Sequence, residues 1–310
     1  MVARPTSELK TGTVIAVRPR RVQVRVGDEA IECDVRRGLL HGVSGQRRLL
    51  AVGDRVHLEL ATSGRGILHE VLPRRSKISR LGSLRPRREH VIATNIDQLL
   101  ALQSAALPRF NARALDRYLV IGEVGSVSCA IGLNKIDLAE DAGVATRLAP
   151  YREIGYPVFH TSAVDGTGLH DLTAYLRGRV TILVGPSGVG KTSLLNRLAP
   201  GSRLATGEVS AATQRGVHTT TRVDYVSLPN GGAVLDSPGL RALQPWTEPE
   251  QLAEAFPEMR SLIGECRFRN CLHDREEGCA MRRAVEQGCI AETRFDSYRR
   301  ILAGLIADRT

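Results

Sequence analysis

The chain predicts three successive units: an N-terminal β-barrel of the OB-fold type, a central open α/β sheet, and a mainly helical C-terminal region built around a metal. Three observations lead there. Short alternating strands recur at 8–12-residue spacing up to about residue 72, the habit of a small all-β barrel. From 91 to 245, apolar runs alternate with helical stretches, the pattern of a mostly parallel sheet. Beyond 246 the sequence is polar and helical in pattern, interrupted by Cys266, Cys271, His273 and Cys279.

At 310 residues the length suits two or three domains with real cores. The formal net charge is +10. Residues 1–90 hold 19 Lys or Arg against 9 Asp or Glu, while the remainder balances at 24 of each. The surplus therefore sits in the N-terminal third, as expected for a region that meets a polyanion. The competing reading is an arginine-rich proteome, since only Lys10, Lys77, Lys135 and Lys191 among the 43 basic residues are lysines. That explains which cation is used but not where the cations lie. No stretch resembles a signal peptide or reaches the ~18 apolar residues of a membrane span, so a cytoplasmic protein is expected.

In the barrel, residues 12–17, 21–26, 30–35 and 54–60 read as strands, with turns at Gly27-Asp28 and Val52-Gly53-Asp54. Placed in a basic segment, the barrel (1–72) is expected to bind RNA in an electrostatic groove. Its shortage of aromatics favours backbone contacts over stacking, and a purely structural barrel is the alternative. Residues 73–90 carry seven basic residues and one Glu, and read as a basic linker that orders on RNA or stays a solvated tether.

In the central unit (91–245), residues 98–102, 127–133, 157–159, 180–184 and 233–235 read as buried parallel strands. Residues 112–124 and 191–198 read as helices. Ligands of such sheets bind beyond the carboxyl ends of the strands, and that is where the motifs fall. Gly185-Pro186-Ser187-Gly188-Val189-Gly190-Lys191-Thr192 sits between a strand and a helix, with Ser193 following. Backbone N–H groups there cradle phosphates, Lys191 neutralises β- and γ-phosphate charge, and the Thr192 hydroxyl ligates Mg²⁺. This loop does not separate ATP from GTP.

Asn134-Lys135-Ile136-Asp137 makes that separation. The two acceptor oxygens of Asp137 match the N1–H and exocyclic amine of guanine, which adenine cannot satisfy. Asn134 bridges the base edge to the phosphate loop, the Lys135 stem covers the base, and Ser162-Ala163 meet the guanine O6. Asp236, in Asp236-Ser237-Pro238-Gly239, is placed to hold Mg²⁺ through a water, and the Gly239 N–H to sense the γ-phosphate. Thr219, Thr220 and Thr221 follow Gly216-Val217-His218; one of them reaches the metal, Thr220 standing for it with Thr219 and Thr221 left open. Loss of the γ-phosphate releases both switches. Gly239 precedes Leu240, whose apolar side chain cannot orient water, so unaided hydrolysis is expected to be slow.

Cys266, Cys271, His273 and Cys279 form C-x₄-C-x-H-x₅-C. Three thiolates and an imidazole make a closed tetrahedral set suited to one structural Zn²⁺, with no open position for catalysis. Cys33, Cys129 and Cys289 read as small apolar residues.

The base-reading motifs precede the phosphate loop, the reverse of the usual order in GTPases. With this rotated order, the Gly-Pro-Ser-Gly-Val-Gly-Lys-Thr-Ser loop, the His218-Thr-Thr-Thr run, the Asp-Ser-Pro-Gly-Leu-Arg segment and the cysteine cluster, the chain resembles the ribosome small-subunit-dependent GTPase A family. The resemblance covers nearly the whole chain. It implies an OB-fold, a circularly permuted GTPase domain and a C-terminal zinc domain (246–310). It further implies a bacterial late-stage assembly factor that binds the small ribosomal subunit and its rRNA, hydrolyses GTP to GDP when stimulated by that subunit, and then leaves. The family usually has Ser where Thr192 stands. Many members place a His after a Trp beyond the Asp-x-Pro-Gly motif, whereas Trp246 is followed by Thr247; His218 is a substitute candidate, against a reading as a plain switch-loop histidine. No extended seam suggests an oligomer, so a monomer is expected. The second switch runs into residues 246–310, so γ-phosphate contact at Gly239 is expected to bias their pose. Rival readings are a P-loop kinase or ATPase, a non-enzymatic RNA-binding module, and a translation factor acting on finished ribosomes.

Overall fold

The structure, a computed structural model, describes residues 9–18, 21–35, 50–61, 64–81, 89–139, 143–201, 223–236 and 244–309. Five strands close the N-terminal barrel: β1 (Lys10–Arg18), β2 (Arg21–Val26), β3 (Glu29–Val35), β4 (Arg55–Leu60) and β5 (Gly66–Val71). Their order is β1-β2-β3-β5-β4, closed by β1 on β4 and parallel only between β3 and β5. Period-two alternation sends Val22, Val24, Ile31, Cys33, Val56, Leu58 and Leu68 inward as the core. The sequence reading missed β5.

The barrel is keyed onto β6, β7 and the central sheet through the turn that enters β4. Gly53 has φ +94°, and a Cβ there would lie 1.9 Å from the Thr94 carbonyl oxygen, so only glycine allows this approach. Buried Asp54 accepts from Arg74 Nε at 2.7 Å, Arg74 Nη2 at 2.8 Å and Thr94 Oγ1 at 2.9 Å. Asn95 Nδ2 donates to the Gly53 carbonyl at 2.8 Å.

The stretch expected as a linker is partly a strand. β6 (Lys77–Leu81) pairs antiparallel with β7 (Glu89–Thr94). Seven basic residues hid its alternation, yet Ile78 is fully buried in the core beneath the central sheet. Residues 82–88 lie outside the described residues.

The central sheet has the order β10-β9-β8-β11-β13-β12, from β8 (Gln98–Ser104), β9 (Ser128–Asn134), β10 (Val158–Thr161), β11 (Val180–Val184), β12 (Asp224–Ser227) and β13 (Ala233–Asp236). All pairings are parallel except β12 on β13. The phosphate-loop strand β11 is thus central, flanked by β8, which precedes it in the chain, and by β13, which follows it. Helix α1 (Ala112–Val124), capped by Asn111 Oδ1 accepting from the Ala114 N–H at 3.1 Å, covers one face. α2 (Gly143–Ile154) shares that face, and α3 (Leu169–Leu176) and α4 (Lys191–Leu198) cover the other.

After residue 244, short 3₁₀ turns at Pro249–Ala255 and Pro257–Leu262 lead to α5 (Ala280–Glu286) and α6 (Glu292–Ala307). Their core includes Val120 of α1, so this unit packs directly on the sheet's helical layer. Arg294 of α6, 1% exposed, lies at the centre of the contact. It donates to Asp116 of α1 at 2.6 Å and to Glu258 at 2.7 and 3.2 Å, with Phe256 and Tyr151 rings against its guanidinium. Burial opposes the Arg294 charge, but the two carboxylates outweigh it and hold its pKa above the ordinary value. Among the described residues no helix is long and apolar enough to cross a membrane. Cys33 and Cys129 are buried as expected; Cys289 is exposed, because the turn that ends α5 through Gly288, φ +75°, lies at the surface.

Candidate nucleotide and metal sites

Each nucleotide motif leaves the carboxyl end of a neighbouring strand, which is what brings segments about 50 residues apart into one place. Asn134 ends β9 and is 1% exposed. Its Nδ2 donates to the Val189 carbonyl at 3.0 Å, and its Oδ1 accepts from Thr161 Oγ1 at 3.2 Å. Asn134 therefore ties the phosphate loop on one side to the Ser162-Ala163 turn on the other. Gly190, φ +96°, is required at the tie: a Cβ there would lie 2.4 Å from Asn134 Nδ2.

Lys135, in the left-handed region at φ +62°, turns the chain into the 3₁₀ segment Ile136–Leu138, where Asp137 is exposed. Lys135 Nζ donates to the Leu107 carbonyl at 2.6 Å. The Ser162 hydroxyl accepts from the N–H groups of Val164 and Asp165 at 3.2 and 3.3 Å, and Asp165 Oδ1 accepts from Thr167 N–H at 2.8 Å. The Thr167 donors hold the Asp165 pKa below the ordinary carboxylate value. The sequence reading passed over Asp165, though Asp165-Gly166 is a turn signal.

In the phosphate loop Gly185, Gly188 and Gly190 all have positive φ. Lys191 opens α4 and its Nζ donates to the carbonyls of Gly185 and Pro186 at 2.9 and 2.8 Å, so the cation is held over the loop's concavity. Thr192 and Ser193 follow in the first turn, and Pro186, Ser187 and Val189 complete the loop. At the end of β13, Asp236 Oδ1 is buried and finds no hydrogen-bond donor among the described residues. Burial pushes the Asp236 pKa up, Lys191 draws it down, and Asp224 across the strand pair adds to the rise. A buried acceptor without a donor, beside the lysine of a phosphate loop, suits a hydrated cation. His218, Thr220, Gly239 and Leu240 lie outside the described residues. Thr247 is buried and lines, with Trp246, Lys77 and Glu89, a cavity of 870 Å³ that no residue of 185–192 borders.

Cys266, Cys271, His273 and Cys279 place their ligand atoms within 4.8 Å of one another and can hold a metal ion. His273 Nδ1 lies 3.4 Å from Cys266 Sγ and 3.5 Å from Cys279 Sγ. Metal–sulfur bonds of about 2.3 Å and a metal–nitrogen bond of about 2.0 Å at tetrahedral angles require a separation of about 3.5 Å. The loop is braced by Glu276, which accepts from the N–H groups of Leu272, Asp274 and Arg275, and by Tyr298, whose hydroxyl donates to the Leu272 carbonyl at 2.8 Å.

A P-loop GTPase with its base-reading half moved ahead of its phosphate loop is the class that this sheet and these loops define. The family described as RsgA GTPase matches residues 71–246. The small ribosomal subunit biogenesis GTPase RsgA of Azotobacter vinelandii is 42% identical over 263 residues, 83% of this chain and 75% of that protein. The crystal structure of YjeQ from Thermotoga maritima superimposes with a TM-score of 0.74 at 29% identity, over 96% of this chain and 99% of that one. That of YloQ, described as a circularly permuted GTPase, gives 0.73 at 29% identity over 99% of each chain. The chain belongs to the RsgA GTPase family.

Proposed function

We propose that this protein hydrolyses GTP as a late-stage assembly factor of the small ribosomal subunit, binding its rRNA and leaving once maturation is checked. The guanine reading rests on the acceptor oxygens of Asp137, and the Asn134 tie is the observation that supports one pocket. It joins the phosphate loop to the turn at Ser162-Ala163, as a pocket shared by base and phosphates requires. In that pocket Asp137 reads guanine, Lys135 covers it, and Ile136, Ser162 and Ala163 line it. The backbone of 185–190 and the side chains of Lys191, Thr192 and Ser193 hold the phosphates. Thr192, Thr220 and Asp236 would hold Mg²⁺, which would supply positive charge beside the phosphate oxygens. Gly239 N–H meets the γ-phosphate, and His218 is the candidate for orienting the attacking water.

With Leu240 in place of a water-orienting Gln, turnover by the free protein is expected near the intrinsic scale of about 10⁻⁴–10⁻² s⁻¹. Subunit binding then raises it. The barrel (1–72) and the basic connection (73–90, which includes β6) supply RNA contacts. The permuted GTPase unit spans 91–245, and 246–310 forms a unit closed by one structural Zn²⁺ on Cys266, Cys271, His273 and Cys279. The donor set of three thiolates and an imidazole, with its 3.4 and 3.5 Å separations, supports zinc. A monomer working in the cytoplasm fits this role. GTP hydrolysis should rise sharply with purified small subunits and not with large subunits; equal stimulation by both, or by neither, refutes the assignment.

A further inference from the structure

A cleft of 1020 Å³ separates the barrel from the β12 edge of the sheet, lined by Arg18, Gln23 and Arg25 of the barrel, His90 of β7, and Asp224 and Tyr225 of β12. The Arg25 guanidinium bridges it. It lies over the Tyr225 ring, 5.1 Å from the centroid, and donates to Ser227 Oγ. Tyr225 packs against the core of the central sheet. In the β12–β13 register Tyr225 stands opposite fully buried Leu235, and Asp224 stands opposite Asp236. β12 lies at the edge of the sheet and pairs with β13, so its placement bears on the end of that strand.

We propose that Arg25 is a positioning residue for the cation site at Asp236: by clasping Tyr225 and Ser227 it fixes where β12 holds Asp224 relative to Asp236, and so makes metal-dependent nucleotide binding follow the seating of the barrel. The inference rests on the reading of Asp236 as a magnesium ligand. It gives the barrel, where RNA contact is expected, a route to the phosphate site that does not pass through a loop. Arg21 on the same strand serves as its comparison, because it bonds Glu32 of β3 at 3.1 Å instead of β12.

The test uses the full-length protein and a fluorescent, non-hydrolysable GTP analogue, and reads the Mg²⁺ concentration that gives half-maximal retention. Arg25→Met keeps the aliphatic stem and loses the cation; half-saturation should rise about two- to fivefold, the worth of one partly exposed cation–π contact. Tyr225→Phe keeps the ring and should match the unaltered chain. Arg21→Met should match it too. An unchanged midpoint in Arg25→Met, or an equal shift in Arg21→Met, overturns the proposal. Asp236→Asn separates the two levels. It should raise the half-saturating Mg²⁺ concentration further than Arg25→Met does; if the midpoint is unchanged, the magnesium assignment falls and the role of Arg25 with it. If it rises while Arg25→Met is silent, only the role of Arg25 fails.

Discussion

Replacing Arg294 by alanine would leave Asp116 and Glu258 facing one another in the seam between α1 and the C-terminal unit. Asp116 is fully buried and Glu258 nearly so, and Arg294 reaches them at 2.6 and 2.7 Å. Breaking a buried ion network by removing one partner costs about 3–5 kcal/mol, because an uncompensated charge stays behind. Native domains are stable by about 5–15 kcal/mol, so this is a large share. With urea m-values of about 2–3 kcal/mol/M, the unfolding midpoint of the C-terminal unit should fall by about 1–2.5 M. Trp246, the single tryptophan, lies at the junction and reports it by fluorescence. Guanine nucleotide binding reports the sheet separately. The triple change Arg294→Met, Asp116→Leu, Glu258→Leu should recover most of the loss, since apolar replacement of such networks is often neutral or better. A single Arg294→Ala variant whose tryptophan transition moves by less than about 0.3 M would refute the reasoning.

Gly190→Ala should lower GTP affinity at least tenfold, measured by calorimetry, because its Cβ displaces the Asn134 amide from the phosphate loop. Removing the metal with a chelator, or introducing Cys271→Ser, should unfold residues 246–310 while nucleotide binding by the sheet persists; unchanged hydrogen exchange there would contradict this. Asp165 has a folded pKa below its ordinary value, so the carboxylate braces the Ser162-Ala163 turn at and above the unfolded value of about 3.9. The brace is lost as pH falls through the lower folded value. Exchange at Thr167 should accelerate there in the unaltered chain and show no such step in Asp165→Asn.

Much of the nucleotide site was legible because its chemistry is local. A phosphate loop needs Gly185, Gly188 and Gly190 in one run, and a guanine reader needs Asn134 and Asp137 at fixed spacing. The same holds for the metal cluster, whose four ligands fall within fourteen residues. β6 was not legible, since charged residues masked its alternation and only Ile78 is committed to the core. β5, whose run is interrupted by His69 and Glu70, and β12, at the edge of the sheet, are each fixed by pairing: with β4 and β3 for one and with β13 for the other.

From its residues alone the chain determined the kind of ligand, the succession of three units, and the identity of the side chains that can hold a metal ion. All of these depend on side-chain chemistry repeated over a few neighbouring positions. Only the folded state decided that β11 lies between β8 and β13, that Asn134 meets the phosphate loop at the Val189 carbonyl, and that Arg294 and Arg25 hold the outer units to the sheet. Those contacts join residues from 55 to 202 positions apart. Which of the 43 basic residues finds which partner is fixed by packing, not by spacing.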